Sequence, residues 1–427
     1  MDHLRPFFDF VEASPTPYHC VKNAAALLDG AGFTALSPEG EWELWPGGKY
    51  YTVFQELCLF AFTVGEQWQV GSGYHMAAAH GDNPCLRIKA SPNKKMGSSL
   101  FLNTEVYGGP ILSSWADRPL AIAGRVALRS ADPLRPEMRL VDFKRPVAII
   151  PDVAPHLVQE NNESRQKRSQ KLPLLTVDCG EQMDDLYLER CVAKELGVEA
   201  EDILDYELYV YHCAPCAVIG MESDLICGPR LDDLTSAYAV VRSLADGSRS
   251  AGINIGVIFD AEEIGSRTKG GAFSGVTEIL LKKMYYALGL SEAQCFNEML
   301  RGTFLSCDVA HAFHPMYPSA YDDRNACHLN RGVCIKQAAS QSYATDSAMG
   351  GMIRQLCEAN SIPLQKFANH TDVRGGGTLA NIVACALGVK AADIGVPLFA
   401  MHSAMETMGI RDEQHLVDLL TVFMSAE

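Results

Sequence analysis

The chain has 427 residues, of which 48% are hydrophobic and 21% are charged, and its formal net charge is −16. A single hydrophobic core rarely serves more than about 250–300 residues, so we expect two domains. The hydrophobic fraction excludes a disordered chain. The acidic balance argues against nucleic acids and anionic membrane surfaces as partners.

Cysteine usage and the N-terminal segment bear on the cellular compartment. The 14 cysteines are scattered without the spacing of a disulfide framework, which is typical of a reduced, cytoplasmic protein. Cys213 and Cys216 form an isolated CxxC pair, without the second pair that a structural zinc site of this type requires. The N-terminus lacks the apolar core of a signal peptide, and no run approaches the roughly 20 apolar residues of a membrane span. We therefore expect a cytoplasmic protein that does not contact membranes.

The first ninety residues predict one helix and several strands. Apolar residues recur at helical spacing over residues 7–30, and Gly30 ends the predicted helix. Residues 50–64 contain short apolar and aromatic runs that are typical of strands. Residues 76–80 are predicted to form a buried strand that ends before a polar turn.

The pattern changes near residue 91 and again near residue 226. The middle segment, residues 91–226, predicts short strands at 119–129 and 147–150 and a polar loop at 159–171. Beyond it, helices and strands alternate, as in α/β proteins. The predicted helices are 234–245, 277–288, 347–359 and 378–387, and the predicted strands are 253–259, 303–307 and 394–400.

These elements predict an α/β fold with a discontinuous catalytic domain. Residues 1–90 and 227–427 would form a central mixed sheet flanked by helices, and residues 91–226 would form a β-rich insert. The alternative is two consecutive domains that meet near residue 226. We favour the insert because residues on both sides of it are expected to form one site.

Acids and histidines follow several of the predicted strands. In an open α/β sheet, ligands bind outside the carboxyl ends of the strands, so polar side chains placed there converge. The set contains two imidazoles and three carboxylates, namely His80, Asp232, Glu263, Asp308 and His402. Such ligands suit Zn²⁺, Mn²⁺ or Co²⁺, and they suffice for two ions if one carboxylate is shared. Singly, each residue is more often structural or solvated, and spacing alone does not establish a two-metal site.

The segments around these residues resemble motifs of the aspartyl aminopeptidase family, a family of co-catalytic zinc exopeptidases. Residues 79–87 resemble its AHxDxPxLR motif. Further similar segments are residues 105–109, 115–120, 229–234, 259–266, 306–315 and 401–406. The resemblance extends in order through essentially the whole chain. Gly81 and Asp233 stand where the family more often has Thr and Asn, and neither departure removes a ligand.

The resemblance implies a role for each member of the ligand set. Asp232 would bridge two divalent metal ions, with zinc as the expected metal and cobalt or manganese as alternatives. His80 and Asp308 would complete one metal site, and Glu263 and His402 would complete the other. The implied activity is hydrolysis of the N-terminal residue of a peptide, preferentially Asp or Glu.

Two further roles near the metals follow from the same resemblance. Glu262 would be the general base and acid, since it adjoins Glu263 but would face the attacking water rather than a metal. Asp82, two residues beyond His80, would be the carboxylate that fixes the tautomer of that imidazole.

Assembly and substrate preference also follow from the resemblance. The family forms tetrahedral dodecamers built from dimers, and its insert lends a histidine to the neighbouring site, which points to His156. A lysine supplies the positive charge for an acidic substrate residue, which points to Lys336 with His311 and Tyr343 beside it. The expected partners are therefore peptides with a free N-terminus and further copies of the chain.

Other functions remain open from the sequence. An aminopeptidase of neutral or broad specificity would use the same metal site. A metallo-deacylase or carboxypeptidase would need a clamp for a carboxylate, and Arg374 is the best candidate for one. A non-catalytic shell protein is disfavoured, because Glu262 and all five ligands are present.

Overall fold

The computed structural model describes residues 2–157, 172–178, 184–373 and 375–427 of the chain. Within these ranges the chain forms three β-sheets and nine α-helices. The helices are α1 (Arg5–Ala13), α2 (Pro17–Gly30), α3 (Tyr187–Leu196), α4 (Leu231–Asp246), α5 (Val276–Ala287), α6 (Glu292–Leu300), α7 (Ser347–Asn360), α8 (Leu379–Leu387) and α9 (Asp412–Ser425). None of the helices in the described ranges combines the length and the hydropathy of a membrane span.

The described strands are, in chain order, β1 (Thr34–Ala35), β2 (Lys49–Phe54), β3 (Cys58–Val64), β4 (Tyr74–His80), β5 (Cys85–Met96), β6 (Ser99–Tyr107), β7 (Leu120–Leu128), β8 (Glu137–Asp142), β9 (Leu174–Thr176), β10 (Ile203–His212), β11 (Ala217–Ile219), β12 (Leu225–Gly228), β13 (Ile253–Phe259), β14 (Thr303–Cys307), β15 (Ala310–His311), β16 (Val333–Lys336), β17 (Leu364–Phe367), β18 (Lys390–Gly395), β19 (Pro397–Phe399) and β20 (Glu406–Gly409).

The central sheet has nine strands in the order β1-β2-β3-β13-β4-β14-β18-β16-β17. It is mixed, and its middle strands β13, β4, β14 and β18 are parallel to one another. Residues of α1, α2, α4, α7 and α9 pack in one hydrophobic cluster, and residues of α5, α6 and α8 pack in a second. Along β4, Ala77 and Ala79 belong to the first cluster, whereas Met76 and Ala78 belong to the second. This alternation is that of a strand buried on both faces, and it confirms the predicted α/β class.

The second sheet is antiparallel, with the order β8-β7-β10-β5-β6-β9. All six strands come from the chain between Cys85 and His212, and α3 packs against them. Arg125 of β7 joins this sheet to the central one. Its guanidinium donates to Glu207 of β10 at 2.6 Å and to Glu56, in the turn between β2 and β3, at 2.8 Å. It also lies 4.4 Å from the centre of the Tyr18 ring. The division into domains at residues 90 and 226 stays a prediction.

The third sheet has the order β11-β12-β20-β19-β15. It combines strands that precede α4 with strands from the C-terminal part of the chain. In this sheet β12 pairs with β20 antiparallel, and Gly228 lies opposite Glu406. The start of α4 and the segment before β20 are thereby brought together, and both contribute to the site described below.

Three predicted elements differ from the structure for reasons that involve proline. The single helix predicted over residues 7–30 is wrong. The structure has two helices, because Pro17 begins α2 at a position that needs no N–H donor. The strand predicted at 147–150 forms only isolated bridges, since Pro146 and Pro151 flank the run. The strand predicted at 394–400 is divided between β18 and β19, and Pro397 starts the second strand. The polar loop at 159–171 lies outside the described residues.

Candidate metal centre

Three strands of the central sheet deliver polar side chains to one edge. His80 is the last residue of β4 and lies opposite Phe259, the last residue of β13. The turn after β13 carries Glu262 and Glu263, and Asp308 directly follows β14. Because these parallel strands end at the same edge, their terminal side chains converge, as the sequence predicts.

Two further side chains approach this edge from irregular backbone. Asp232 is the second residue of α4, but its backbone is not helical, with φ −82° and ψ 107°. The peptide bond between Asp232 and Asp233 is cis. His402 lies in the turn between β19 and β20, and its φ of 68° places it in the left-handed region. Both residues therefore depend on contacts outside regular secondary structure to fix their direction.

Asp232 lies between the two histidines, and each of its carboxylate oxygens faces one of them. Its Oδ1 is 3.4 Å from Nε2 of His80, and its Oδ2 is 3.4 Å from Nε2 of His402. Asp308 Oδ1 lies 3.9 Å from the same nitrogen of His80, and Glu263 Oε1 lies 3.5 Å from that of His402. The structure thus brings the predicted residues into two clusters, His80–Asp232–Asp308 and Asp232–Glu263–His402, which share one carboxylate.

Both histidines present Nε2 to these clusters, since Nδ1 of each ring is close to a main-chain carbonyl. Nδ1 of His80 is 3.0 Å from the carbonyl oxygen of Asp82, and Nδ1 of His402 is 3.1 Å from that of Gly109. A carbonyl oxygen only accepts a hydrogen bond, so Nδ1 is the nitrogen that donates. The lone pair of Nε2 is then free in each neutral ring to bind a metal.

The two clusters contain more buried acids than nearby cations can neutralise. Burial, with Asp232 adding to it, raises the pKa of Glu263 well above its usual range. Burial also raises the pKa of Glu262 to about 7, with Asp308 and Asp82 adding to the shift. For His80, burial favours the neutral ring, but Asp232 and the other acids raise its pKa well above the usual value.

The residues fit divalent metal ions. Among the described side chains, Asp232 Oδ1 and Glu263 Oε1 are buried and have no hydrogen-bond partner, although each faces a histidine. Buried carboxylate oxygens are almost always paired or bound to metals, because an unpaired buried charge is costly. Imidazole nitrogen and carboxylate oxygen are a donor set that suits Zn²⁺. The five predicted residues could therefore hold two ions, with Asp232 between them.

Asp82 joins the two strand ends that carry His80 and the glutamate pair. Its carboxylate accepts the backbone N–H of Glu262 at 3.1 Å and that of Glu263 at 3.2 Å. It also accepts the hydroxyl of Tyr107, on β6 of the second sheet, at 2.8 Å. The nearest contact of His80 Nδ1 is the main-chain carbonyl of Asp82 rather than the predicted carboxylate, which lies 3.4 Å away.

Three residues of the site were not assigned a role from the sequence. Tyr107 holds Asp82, as described, and the Asp233 carboxylate accepts the backbone N–H of His80 at 3.3 Å. Glu406 accepts the backbone N–H groups of Asp232 and His402. All three lie in or directly beside segments that resemble the family motifs. That position is the signal that the sequence offers, because the contacts of these three residues leave no pattern of their own in the sequence.

Of the three residues predicted to bind substrate, Lys336 contacts Asp308, and Tyr343 lies next to Lys336. Nζ of Lys336, a buried residue, donates to Asp308 Oδ2 at 3.0 Å. Burial opposes the charged amine, but Asp308 raises the pKa of Lys336 above its usual value. Nζ lies 5.5 Å from the centre of the Tyr343 ring. His311, at the end of β15, has an exposed side chain, and its ring centre is 6.2 Å from that of Phe367.

Two other predicted residues are not part of these clusters. His156 is exposed, in a single turn of 3-10 helix at Pro155–Leu157 of the same chain. It belongs to neither group of possible metal ligands. Arg374, the candidate clamp for a substrate carboxylate, lies outside the described residues.

A buried group of histidines and carboxylates at the strand ends of an α/β sheet is typical of a metal-dependent hydrolase. The comparisons with known proteins agree and are more specific. Residues 10–424 match the model of the family described as Aminopeptidase I zinc metalloprotease (M18). The "Probable M18 family aminopeptidase 2" of Clostridium novyi is 37% identical over 410 residues, which cover 95% of each chain.

Solved structures show the same relationship. A chain in the structure described as the Ape4 and Nbr1 complex has a TM-score of 0.93 and 30% identity, over 98% of this chain and 84% of that one. The structure described as the S. cerevisiae mApe1 dodecamer has a TM-score of 0.86 and 26% identity, over 99% and 96% of the two chains. The chain belongs to the M18 family of zinc metallo-aminopeptidases. The resemblance to a family of zinc aminopeptidases that the sequence predicts is therefore confirmed.

The shared position of Asp232 predicts a loss of zinc when its charge is removed. We expect Asp232→Asn to retain at most one zinc ion per chain after dialysis, because two ions would repel each other without the anion between them. Elemental analysis of the purified protein provides the measurement. Asp412→Asn is the matched control, since Asp412 is also buried, accepts the backbone N–H groups of Asn330 and Gly332, and belongs to neither metal cluster. Two ions retained in Asp232→Asn would show that Asp232 is not shared.

Proposed function

We propose that the protein is a dinuclear metallo-aminopeptidase that removes an N-terminal residue, preferentially Asp or Glu, from peptides. The observation that carries the proposal is the position of Asp232, with one carboxylate oxygen toward each histidine at 3.4 Å. His80 and Asp308 would hold one ion, and Glu263 and His402 would hold the other. Family membership supports an aminopeptidase and zinc. The two-ion site and the acidic preference are our proposals.

Glu262 is positioned to move the proton in this reaction. Its Oε2 lies 4.0 Å from Nε2 of His80, at the edge of the cluster, and its backbone is fixed by Asp82. Two bound ions would acidify a water molecule and polarise the scissile carbonyl. Glu262 would accept a proton from the water molecule while the oxygen of that water attacks the carbonyl carbon. The same carboxyl would then give that proton to the amide nitrogen as the C–N bond breaks.

We expect Glu262→Gln to keep its zinc and to lose at least about 10³-fold in kcat, because general acid–base groups contribute roughly 10²–10⁴-fold. The measurement is hydrolysis of aminoacyl chromogenic substrates by protein whose zinc content has been determined. Wild-type kcat in a zinc-replete variant would refute the assignment of Glu262. Cleavage of N-acyl amino acids in place of aminoacyl substrates by the wild-type protein would refute the aminopeptidase itself.

The proposed preference for acidic residues depends on local positive charge. The whole chain carries −16, so an acidic side chain would be repelled unless the pocket supplies a cation. Lys336 is such a cation, buried beside Asp308 with Tyr343 next to it. Its hydrogen bond to Asp308 gives it a second function, which is to hold a proposed metal ligand. Lys336 would therefore serve substrate selection and metal binding together.

We expect Lys336→Met to reduce the ratio of kcat/KM for aspartyl over leucyl substrates by roughly 10–150-fold, because a charge-assisted hydrogen bond contributes about 1.5–3 kcal/mol. Both rates would also fall, since Asp308 loses its partner, so the ratio is the informative quantity. Lys282→Met is the control, since Lys282 also pairs with an acid, Glu278 at 2.6 Å, but on α5 and outside the metal clusters. A wild-type protein that prefers leucyl substrates, or a variant whose ratio is unchanged, would contradict the acidic preference.

We further propose that the chain assembles into dimers and dodecamers in which His156 completes the site of a neighbouring chain. The support is the structural similarity to the mApe1 dodecamer and the exposure of His156 away from the metal clusters of its own chain. An exposed histidine on a turn of the insert is accessible to a partner chain. A histidine there would bind the substrate carbonyl or its developing negative charge.

Co-expression of two inactive variants tests the trans position of His156. We expect His156→Ala and Glu262→Gln each to be nearly inactive alone. In a mixed dimer, the chain with intact Glu262 would receive His156 from its partner, so random mixing restores about a quarter of wild-type activity. Differently tagged chains and tandem purification confirm that both are present. Mixed assemblies without activity, or an active monomer in light scattering, would contradict this arrangement.

A further inference from the structure

Glu406 is a buried carboxylate for which the mechanism above has no use. It begins β20 in the third sheet and is 1% exposed. Among the described residues it forms no ion pair with a lysine or an arginine. A buried carboxylate is unfavourable unless hydrogen bonds repay its loss of hydration. Its hydrogen bonds therefore indicate what it does.

Both carboxylate oxygens of Glu406 accept backbone N–H groups of the metal cluster. Oε2 accepts the N–H of Asp232 at 2.9 Å, and Oε1 accepts the N–H of His402 at 2.7 Å. These are two of the three residues in the second cluster, Asp232–Glu263–His402. One side chain thus connects two ligands that lie far apart in the sequence.

The backbone at both ligands explains why such a connection is needed. Asp232 is the second residue of α4, and its N–H is one of the first four, which have no partner within a helix. His402 has a φ of 68° and follows Ala400, whose φ is 56°. Left-handed backbone in residues other than glycine persists only where surrounding contacts hold it. Glu406 provides such a contact for both residues at once.

We infer that Glu406 is a positioning residue that holds Asp232 and His402 at the separation required to bind the second metal ion. The inference rests on the two-metal site proposed above and adds to it the group that sets its geometry. Side chains behind metal ligands commonly contribute 10–100-fold to metal affinity, because they fix the direction of the ligand. A carboxylate suits this position, since one residue supplies an acceptor for each of the two N–H groups.

The chain contains a closely matched control in Glu298. It is also 1% exposed, and its two oxygens accept the backbone N–H groups of Gly71 and Gly73 at 2.7 and 3.0 Å, although Oε1 also lies 3.6 Å from Nε of Arg301. Neither glycine belongs to the metal clusters. Glu298→Gln therefore imposes the same chemical change and a similar structural penalty at a place remote from the metals.

The experiment compares the zinc affinity of wild type, Glu406→Gln and Glu298→Gln. Each metal-free protein is titrated with zinc in competition with a chromogenic chelator, and thermal unfolding is measured in parallel. We expect Glu406→Gln to bind one of its two ions about 10–100-fold more weakly, because the Gln NH₂ group faces one of the two N–H donors. Its kcat should recover as zinc is raised, with KM unchanged. Glu298→Gln should bind zinc like wild type.

Wild-type zinc affinity in a folded Glu406→Gln protein would overturn the inference. Equal weakening in Glu298→Gln would also overturn it, since the effect would then follow from general destabilisation. If Glu406→Gln does not fold, Glu406→Asp provides the same test, because its shorter side chain reaches only one of the two donors. Fewer than two zinc ions in the wild-type protein would instead refute the two-metal proposal, so the two failures are distinguishable.

Discussion

The structure depends on the confinement of several carboxylates and two imidazoles within a few ångströms of one another. Asp232 is at the centre of this group, within 3.4 Å of a nitrogen of each histidine. Acids this close repel one another, and burial removes the water that would screen them. Such a group persists in a folded protein only if its backbone is held rigidly and if bound cations or protons neutralise its charge. Burial and the neighbouring acids raise the pKa values of Glu262 and Glu263 for this reason.

Two further carboxylates provide much of this rigidity, because they accept hydrogen bonds from backbone N–H groups of the site. Asp82 accepts those of the glutamate pair, and Glu406 accepts those of Asp232 and His402. The second sheet takes part as well. Tyr107 of β6 donates to Asp82, and the carbonyl of Gly109, two residues beyond the end of that strand, lies 3.1 Å from His402 Nδ1. The second sheet and the loop after β6 therefore help to orient both clusters. A shift of this sheet would change the positions of the metal ligands.

Much of this site could be predicted from the sequence, because three of its segments follow buried strands. His80, Glu263 and Asp308 come at or just after the ends of β4, β13 and β14, where side chains from parallel strands must meet. Asp232 and His402 belonged to the same candidate set, but they are positioned by irregular backbone and by a different sheet, so the bridging role of Asp232 followed only from the family resemblance. Glu406 could not be assigned, since its role depends on the direction of backbone N–H groups. The break before α2 was missed because apolar spacing outweighed the signal of Pro17.

The central claim is that two metal ions share the carboxylate of Asp232. Crystals of the zinc-loaded protein, measured on both sides of the zinc absorption edge, test this claim directly. Our account predicts two anomalous peaks per chain about 3.5–4 Å apart, with one carboxylate oxygen of Asp232 bound to each. A single peak, or two peaks of which only one contacts Asp232, would contradict it.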